Sequence, residues 1–359
     1  MADRATVEVY EAVAGEYRAK RRAFDPERAE RFAGSLRSGA MRLDLGAGAG
    51  HYLPLLGRPL VATDVAMAMC RELRAADPDV PVVRHDLEAV PFRAGSFAGV
   101  WASKCLQHIP AARLPGALGD LHRVLEVGGR LDVALFRGDE QRVYEQVSPS
   151  DDDFPGRLFT WWEPEPLSHL LVGAGFEVVE LRATERRINV VAQRIRSLPD
   201  VVGPGMRLLV CGLNPSLYSA DRGVGYARPG NRFWPAALAA GIATVDRDPA
   251  HALRHHGTGF TDLVKRASVG AAELTRDEYV AGLARLDHLC ALLRPRAVAF
   301  CGLSGWRAAV DRTATAGWQP RRVGGVPAYV LPNPSGLNAH ATVATLADHL
   351  RQASWGAPA

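Results

Sequence analysis

The chain has 359 residues, of which 47% are hydrophobic, 7% aromatic and 23% charged, with a formal net charge of +4. That length accommodates two domains with cores of their own, and the composition excludes wholesale disorder. No apolar stretch is long enough to span a membrane and no signal peptide is legible, so a cytoplasmic protein is expected. The five cysteines (Cys70, Cys105, Cys211, Cys290 and Cys301) form no CxxC pair. They read as small core residues in a reducing compartment, with no metal or iron–sulfur site expected. Charge is uneven along the chain. From residue 196 onward there are 18 Arg and Lys against 11 Asp and Glu, and in the remainder 25 against 28. A basic C-terminal half suits a polyanion-binding domain, although a surplus of seven is modest in an Arg-rich protein.

In chain order, residues 1–40 carry apolar positions at helical spacing, with Val9, Val13, Tyr17 and Phe24 on one expected face. MRLDLGAGAGHYL follows, in which Leu43 and Leu45 flank Asp44 and Gly46, Gly48 and Gly50 come next. A strand that ends in a GxG loop lets the backbone approach a cofactor closely, but nicotinamide enzymes use similar glycines. Asp64 ends a second strand, LVATD, where a carboxylate can bind ribose hydroxyls. Asp86 ends a third, in VVRHDLEAVPF. A fourth strand, a helix with Leu114, Leu118, Leu121 and Leu125 on its buried face, the Gly128-Gly129 pair and a fifth strand complete the succession.

This succession resembles the class I S-adenosylmethionine-dependent methyltransferases, above all the small-molecule and natural-product enzymes with a DLGxGxG loop. The likeness covers residues 8–193 and includes HRVLEVGGRL and GAGFEVVEL. It implies that Asp44, Gly46, Gly48 and Gly50 hold the methionine end of S-adenosylmethionine, Asp64 the ribose, and Asp86 with Leu87 the adenine. Ala98 departs from an acidic residue common in the family. Methyl transfer to a heteroatom needs mainly alignment at about 3–3.5 Å and no metal, so these motifs leave the acceptor unnamed. His108 is a candidate general base, weighed against an ordinary structural histidine. Trp161 and Trp162 are candidates for an acceptor wall, weighed against lid or core packing, and Asp151 to Asp153 read as a solvated loop.

IRSLPDVVGPGM, with Pro199, Gly203, Pro204 and Gly205, reads as a linker. Domains are therefore expected at 1–198 and 206–359, joined by 199–205. Beyond it, Leu208 to Cys211 forms a buried strand running into a loop with Asn214, Pro215 and Ser216. AVAFCGL, residues 297–303, and VPAYVLPNPSGLN, residues 326–338, are further strands that end in Gly, Asn and Pro loops. Right-handed crossovers bring such loops to one edge of a parallel sheet, where ligands bind. Between them, Thr275 with Glu278 makes a capping box. Tyr279, Leu283, Leu286, Cys290 and Leu293 give the following helix its buried face.

GLNPS, GVGYARPGNRFW and NPSGLN, in that order, resemble the mismatch-specific uracil/thymine-DNA glycosylases, the Mug/TDG branch of the uracil-DNA glycosylase superfamily. The likeness covers residues 206–350. It implies that Asn214 positions the water that attacks the sugar C1′, Tyr226 stacks on the flipped base, Asn333 faces base or sugar, and Leu337 is the wedge, on a loop shaped by Ser335 and Gly336. These residue types suit base flipping, stacking and filling of the vacated site. An amide orients water without deprotonating it, which implies that the glycosidic bond breaks well ahead of attack. The same likeness places GFTDLVKRAS, residues 259–268, as a loop near the DNA, where Lys265 and Arg266 either meet phosphates or form an ordinary solvated pair. Lys265 is the sole lysine of this half, so a monofunctional glycosylase without a β-lyase step is expected. Ser216 stands where the family has glycine, Ser219 resembles the bacterial members, and Ala339 replaces an Arg of some members. These departures bear on thymine excision and mismatch preference.

The fold class expected is α/β in both halves: a Rossmann-like methyltransferase fold, then a three-layer α/β/α glycosylase fold with a mainly parallel sheet. The expected partners are double-stranded DNA containing uracil or a G·U or G·T mismatch and an unknown methyl acceptor, with the protein a monomer. The competing reading keeps the methyltransferase as the working enzyme and makes the second half a non-catalytic nucleic-acid reader.

Overall fold

The computed structural model describes residues 2–143, 154–336, 338 and 341–355. The chain divides into two units, residues 1–171 with 176–194 and residues 172–175 with 195–359.

The first unit contains β1 (Arg42–Leu45), β2 (Leu60–Asp64), β3 (Val82–Arg84), β4 (Phe97–Ser103), β5 (Leu125–Phe136), β6 (Gln141–Val143), β7 (Leu158–Thr160), β8 (Phe176–Ala183) and β9 (Arg187–Arg194). Its helices are α1 (Arg4–Lys20), α2 (Pro26–Ser35), α3 (Met67–Ala76), α4 (Leu114–Val124) and the start of α5 (Pro164–Gly173). Seven strands form one sheet in the order β3-β2-β1-β4-β5-β9-β8. The first five are parallel, and β9 and β8 join antiparallel to β5 and to each other. Every residue of β1 is buried, as a central parallel strand covered on both faces requires. The chain reverses direction of winding between β1 and β4, so the β1 loop opens at the crevice where such sheets bind ligands.

The first forty residues make two helices rather than one. Asp3 and Asp25 cap them, accepting from Thr6 N–H and Arg28 N–H. Phe24 therefore lies in the connection and is 46% exposed, off the face its spacing suggests. Leu114, Leu118 and Leu121 are buried on α4, whereas Leu125 is buried as the first residue of β5, which runs through Gly128 and Gly129.

The second unit contains β10 (Leu208–Gly212), β11 (Thr258–Asp262), β12 (Ala297–Cys301), β13 (Gly317–Trp318) and β14 (Ala328–Leu331). Its helices are α6 (Leu217–Arg222), α7 (Phe233–Ala240), α8 (Pro249–His256), α9 (Arg276–Leu293), α10 (Leu303–Ala309) and α11 (Val343–Trp355). The sheet order is β11-β10-β12-β14-β13, parallel except for the β13–β14 pair. One core joins Leu208 and Val210 of β10, Ala299 of β12 and Leu331 of β14 to Phe233 and Trp234 of α7 and Leu346 and Leu350 of α11. The capping box forms: Thr275 Oγ1 accepts from Glu278 N–H at 3.3 Å, and Glu278 Oε2 from Thr275 N–H at 2.8 Å.

The segment expected to be a linker is instead part of this unit. Val201 exchanges backbone hydrogen bonds of 2.8 and 2.9 Å with Phe260, adding to the edge beside β11. Asp200 is buried and ion-paired. Pro and Gly content reads as linker, but a single buried carboxylate ties the segment down, and the division falls after Arg194.

Candidate cofactor and catalytic sites

In the first unit, a cavity of about 960 Å³ opens at the carboxyl ends of β1, β2 and β4, with Asp44, Gly46, Gly48, Asp64 and Leu87 on its wall. Asp44 is 2% exposed, and its Oδ2 has no hydrogen-bond partner. Burial, reinforced by Asp64, pushes its carboxyl up to about 8. Asp64 accepts from Gly48 N–H at 3.0 Å and Ala66 N–H at 2.9 Å. Burial pushes it up to about 6, against those amide donors. Gly46 adopts φ +62°, and a Cβ there would lie 2.4 Å from Cβ of Cys105, so only glycine keeps the loop against the strand ends.

Gly50 faces away from the cavity wall, where a Cβ would meet Leu53, Leu73 and Ala76. Asp86 turns its carboxylate to the N–H groups of Glu88 and Ala2, while Leu87 lines the cavity. His108 is buried between Tyr10, whose hydroxyl is 2.9 Å from Nε2, and the Leu158 carbonyl, 2.6 Å from Nδ1. Burial pushes it down to about 4, so it stays neutral with both nitrogens engaged and is a poor general base. Trp161 is on the wall and Trp162 is packed in the core. Asp151, Asp152 and Asp153 lie outside the described residues.

The donor set fits S-adenosylmethionine. The unpartnered Asp44 oxygen and the neighbouring Asp64 suit a ligand carrying an ammonium and a sulfonium, and the Gly46–Gly48 backbone leaves room beside them.

In the second unit, Asn214 leads the loop after β10, and its side-chain orientation is fixed. Nδ2 is 3.0 Å from the Arg266 carbonyl, 2.8 Å from Ser268 Oγ and 3.2 Å from the Pro215 carbonyl. Ser268 donates its own hydroxyl to the Gly270 carbonyl at 2.9 Å, so toward Asn214 it can only accept. That assigns the amide nitrogen inward and leaves Oδ1 without a hydrogen-bond partner among the described residues, at the sheet edge. Ser268 was not legible as part of this site, because it belongs to a different loop.

Tyr226 adopts φ +58° and stacks on Phe233 at 4.1 Å and 20°. Trp234 Nε1 holds the Gly225 carbonyl at 2.9 Å. The NRFW and NPSGLN segments meet through Arg232. Its backbone N–H reaches the Pro334 carbonyl at 2.9 Å, and its guanidinium reaches the Asn338 and Ala341 carbonyls at 2.7 and 2.8 Å. Asn333 Oδ1 accepts from Ser335 N–H at 2.9 Å, closing the turn. A Cβ on Gly336 would lie 2.8 Å from the Gly230 carbonyl oxygen. Leu337 and Ala339 lie outside the described residues.

Ser216 caps α6, accepting from Ser219 N–H at 3.1 Å, and buried Ser219 sits 3.4 Å from Ala227 N. Lys265 departs from the expectation of a phosphate contact. It is 4% exposed, with Nζ 2.8 Å from Asp200 Oδ1, and Arg285 holds the other carboxylate oxygen at 2.8 Å. Burial pushes Asp200 up, but Arg285 and Lys265 outweigh it and hold the carboxyl below its ordinary value. Arg266 is surface-exposed and paired with Glu278 at 2.8 Å. Asp262 ends β11, a TGFTD segment with no apolar run to mark it as a strand in the sequence. Its carboxylate sits over Gly212, where a Cβ would be 2.2 Å from Oδ1, and burial pushes it up to about 6.

A family model described as a methyltransferase domain matches residues 43–133, and one described as the uracil DNA glycosylase superfamily matches residues 199–354. The two matched segments do not overlap, which supports a bifunctional arrangement of a methyltransferase-type and a glycosylase-superfamily-type domain. Among similar solved structures, the 1,6-didemethyltoxoflavin-N1-methyltransferase of Burkholderia thailandensis, with bound 1,6-didemethyltoxoflavin and S-adenosylhomocysteine, is 20% identical. That match covers 53% of this chain and 88% of that one, with a TM-score of 0.42. The CcbJ methyltransferase of Streptomyces caelestis is 16% identical over 52% of this chain and 98% of its own, with a TM-score of 0.43.

Proposed function

We propose that the second unit hydrolyses the N-glycosidic bond of uracil in double-stranded DNA, as the first step of base excision repair in the cytoplasm. The observation that carries this reading is the Asn214 carboxamide, pinned by Arg266 and Ser268 with Oδ1 unpartnered among the described residues at the sheet edge. That oxygen accepts one hydrogen of a water and aims its lone pair at C1′. The amide cannot take the proton outright, so bond cleavage runs ahead of attack and the base departs as an anion. Main-chain N–H groups of the surrounding loops stabilise that anion. Tyr226, backed by Phe233, offers a stacking face worth about 1–3 kcal/mol. Leu337 fills the vacated stack, and Ser216 and Ser219 favour uracil over thymine. A mispaired uracil opposite guanine is cheaper to evert and is the preferred substrate.

In the first unit, Asp44, Gly46, Gly48, Asp64 and Leu87 hold S-adenosylmethionine, and the protein methylates a small molecule. When bound, the cofactor supplies an electrophilic methyl on a sulfonium. The protein's residues orient it by charge and exclude water.

The test is excision on duplexes carrying G·U, A·U and G·T and on single-stranded uracil DNA. Asn214→Ala is expected to keep duplex affinity and to lose at least ~100-fold in excision rate, as misplacement of a catalytic group does. Near wild-type turnover in that variant would remove the water-positioning role.

A further inference from the structure

The cavity of the first unit has a second chemical character, away from Asp44 and Asp64. Lys104 directly follows β4 in the left-handed region, φ +58°, where a non-glycine residue is strained and such strain collects at functional sites. Its Nζ lies 4.0 Å from the ring centre of Phe24 and 5.1 Å from that of Phe136. Arg187, at the start of β9, places its guanidinium carbon 3.6 Å from the same Phe24 ring. All four residues line the cavity, as does Trp161, which stacks on Phe136 at 6.5 Å and 30°.

Among the described residues, neither Lys104 nor Arg187 has a carboxylate partner. Two cations are thus held against one ring with neither in an ion pair, while Glu185 lines the same cavity. Burial, then Arg187 and Arg21, pushes the Lys104 ammonium down to about 8, so it is still mostly protonated at pH 7. Elsewhere in this unit cations near carboxylates pair with them, as Arg28 does with Asp132 and Arg113 with Glu88. Two cations outside any ion pair on an aromatic-walled cavity are the arrangement that an anion would complete.

We propose that the methyl acceptor is a small aromatic oxyacid, with its flat body against Phe136 and Trp161 and its carboxylate or phosphate held by Lys104 and Arg187 beside Phe24. This rests on the reading of the first unit as a methyltransferase. The point charge of Lys104 and the planar fork of Arg187 together hold two oxygens of one anion. The acid group serves as a handle, leaving a nucleophile elsewhere on the ring to face the methyl.

The experiment is calorimetry on the full chain loaded with S-adenosylhomocysteine, titrated with 1-naphthoate, 1-naphthyl phosphate and neutral 1-naphthamide. At least one acid is expected to bind ten or more times more tightly than the amide, about the effect of one charge-assisted hydrogen bond. The two acid arms separate a carboxylate from a phosphate handle. Lys104→Gln and Arg187→Gln are each expected to weaken acid binding by about tenfold and to leave S-adenosylhomocysteine affinity unchanged. Equal affinity for acid and amide, including no binding of either to a chain that holds S-adenosylhomocysteine, overturns the inference, as does unchanged acid binding in both variants. Failure to bind S-adenosylhomocysteine at all removes the methyltransferase reading instead.

Discussion

Asp44 in the first unit and Asp200 in the second are the same residue type at nearly the same burial, 2% and 5% exposed. Their carboxyls shift in opposite directions. Asp44 is pushed up to about 8 by burial and by Asp64, and one of its oxygens has no partner. Asp200 is held below its ordinary value, because Arg285, Lys265 and the Thr261 hydroxyl outweigh burial. Burial alone therefore does not tell a binding carboxylate from a structural one; what surrounds it does. Asp200 is satisfied within the fold, whereas one oxygen of Asp44 has no partner among the described residues.

The largest expected effect tests the satisfied carboxylate. Lys265→Ala leaves Asp200 half-compensated in a dry site and is expected to cost about 3–5 kcal/mol, the usual loss on breaking a buried pair. Urea unfolding of the second unit checks it. A loss below 1 kcal/mol together with weaker DNA binding would restore Lys265 to the DNA surface. Next comes the unsatisfied one. Cofactor affinity is expected to rise between about pH 6 and pH 8, as Asp64 and then Asp44 ionise. Asp44→Asn is expected to lower affinity by about tenfold at pH 8 and to flatten that rise, read by S-adenosylhomocysteine calorimetry.

The two carboxylates also set opposite slopes of stability with pH. Asp44 holds its proton in the folded state well above the pH at which the unfolded chain loses it. Without cofactor its contribution is therefore present below about pH 4 and lost as pH rises through about 8. Asp200 is depressed, so its contribution is present above the unfolded value near 4 and is lost as pH falls through its lower folded value. Hydrogen exchange resolved by unit, in urea at pH 5 and pH 8, reads the first slope, and a series below pH 5 reads the second. The smallest effect is expected at Arg266→Ala. Its pair with Glu278 is exposed and screened by solvent, and an unfolding midpoint in urea indistinguishable from that of the unsubstituted chain separates it from its neighbour Lys265.

Much of both sites was legible because their chemistry lies in short loops after apolar runs. Asp44, Gly46 and Asp64 follow β1 and β2, and Asn214 follows β10, each where a parallel sheet presents its ligands. What escaped depends on residues distant in sequence. Ser268 reaches Asn214 from 54 residues away, and Lys265 finds Asp200 from 65. In the sequence Lys265 and Arg266 are an ordinary basic pair. In the fold one is a core ion and the other a surface one, because Asp200 lies on the inner side of the loop against Lys265 and Glu278 on the outer side against Arg266.

The sequence by itself determined two α/β units, most of their strands though not β11 or β13, and the loops that carry glycine, asparagine and carboxylate, since periodicity and turn chemistry are local properties. Tertiary structure alone decided the protonation of Asp44, the anchoring of Asn214, the burial of Lys265 and the convergence of Lys104 and Arg187 on Phe24. Charge, dielectric and hydrogen-bond partners at a point in space are sums over neighbours that the order of residues does not specify.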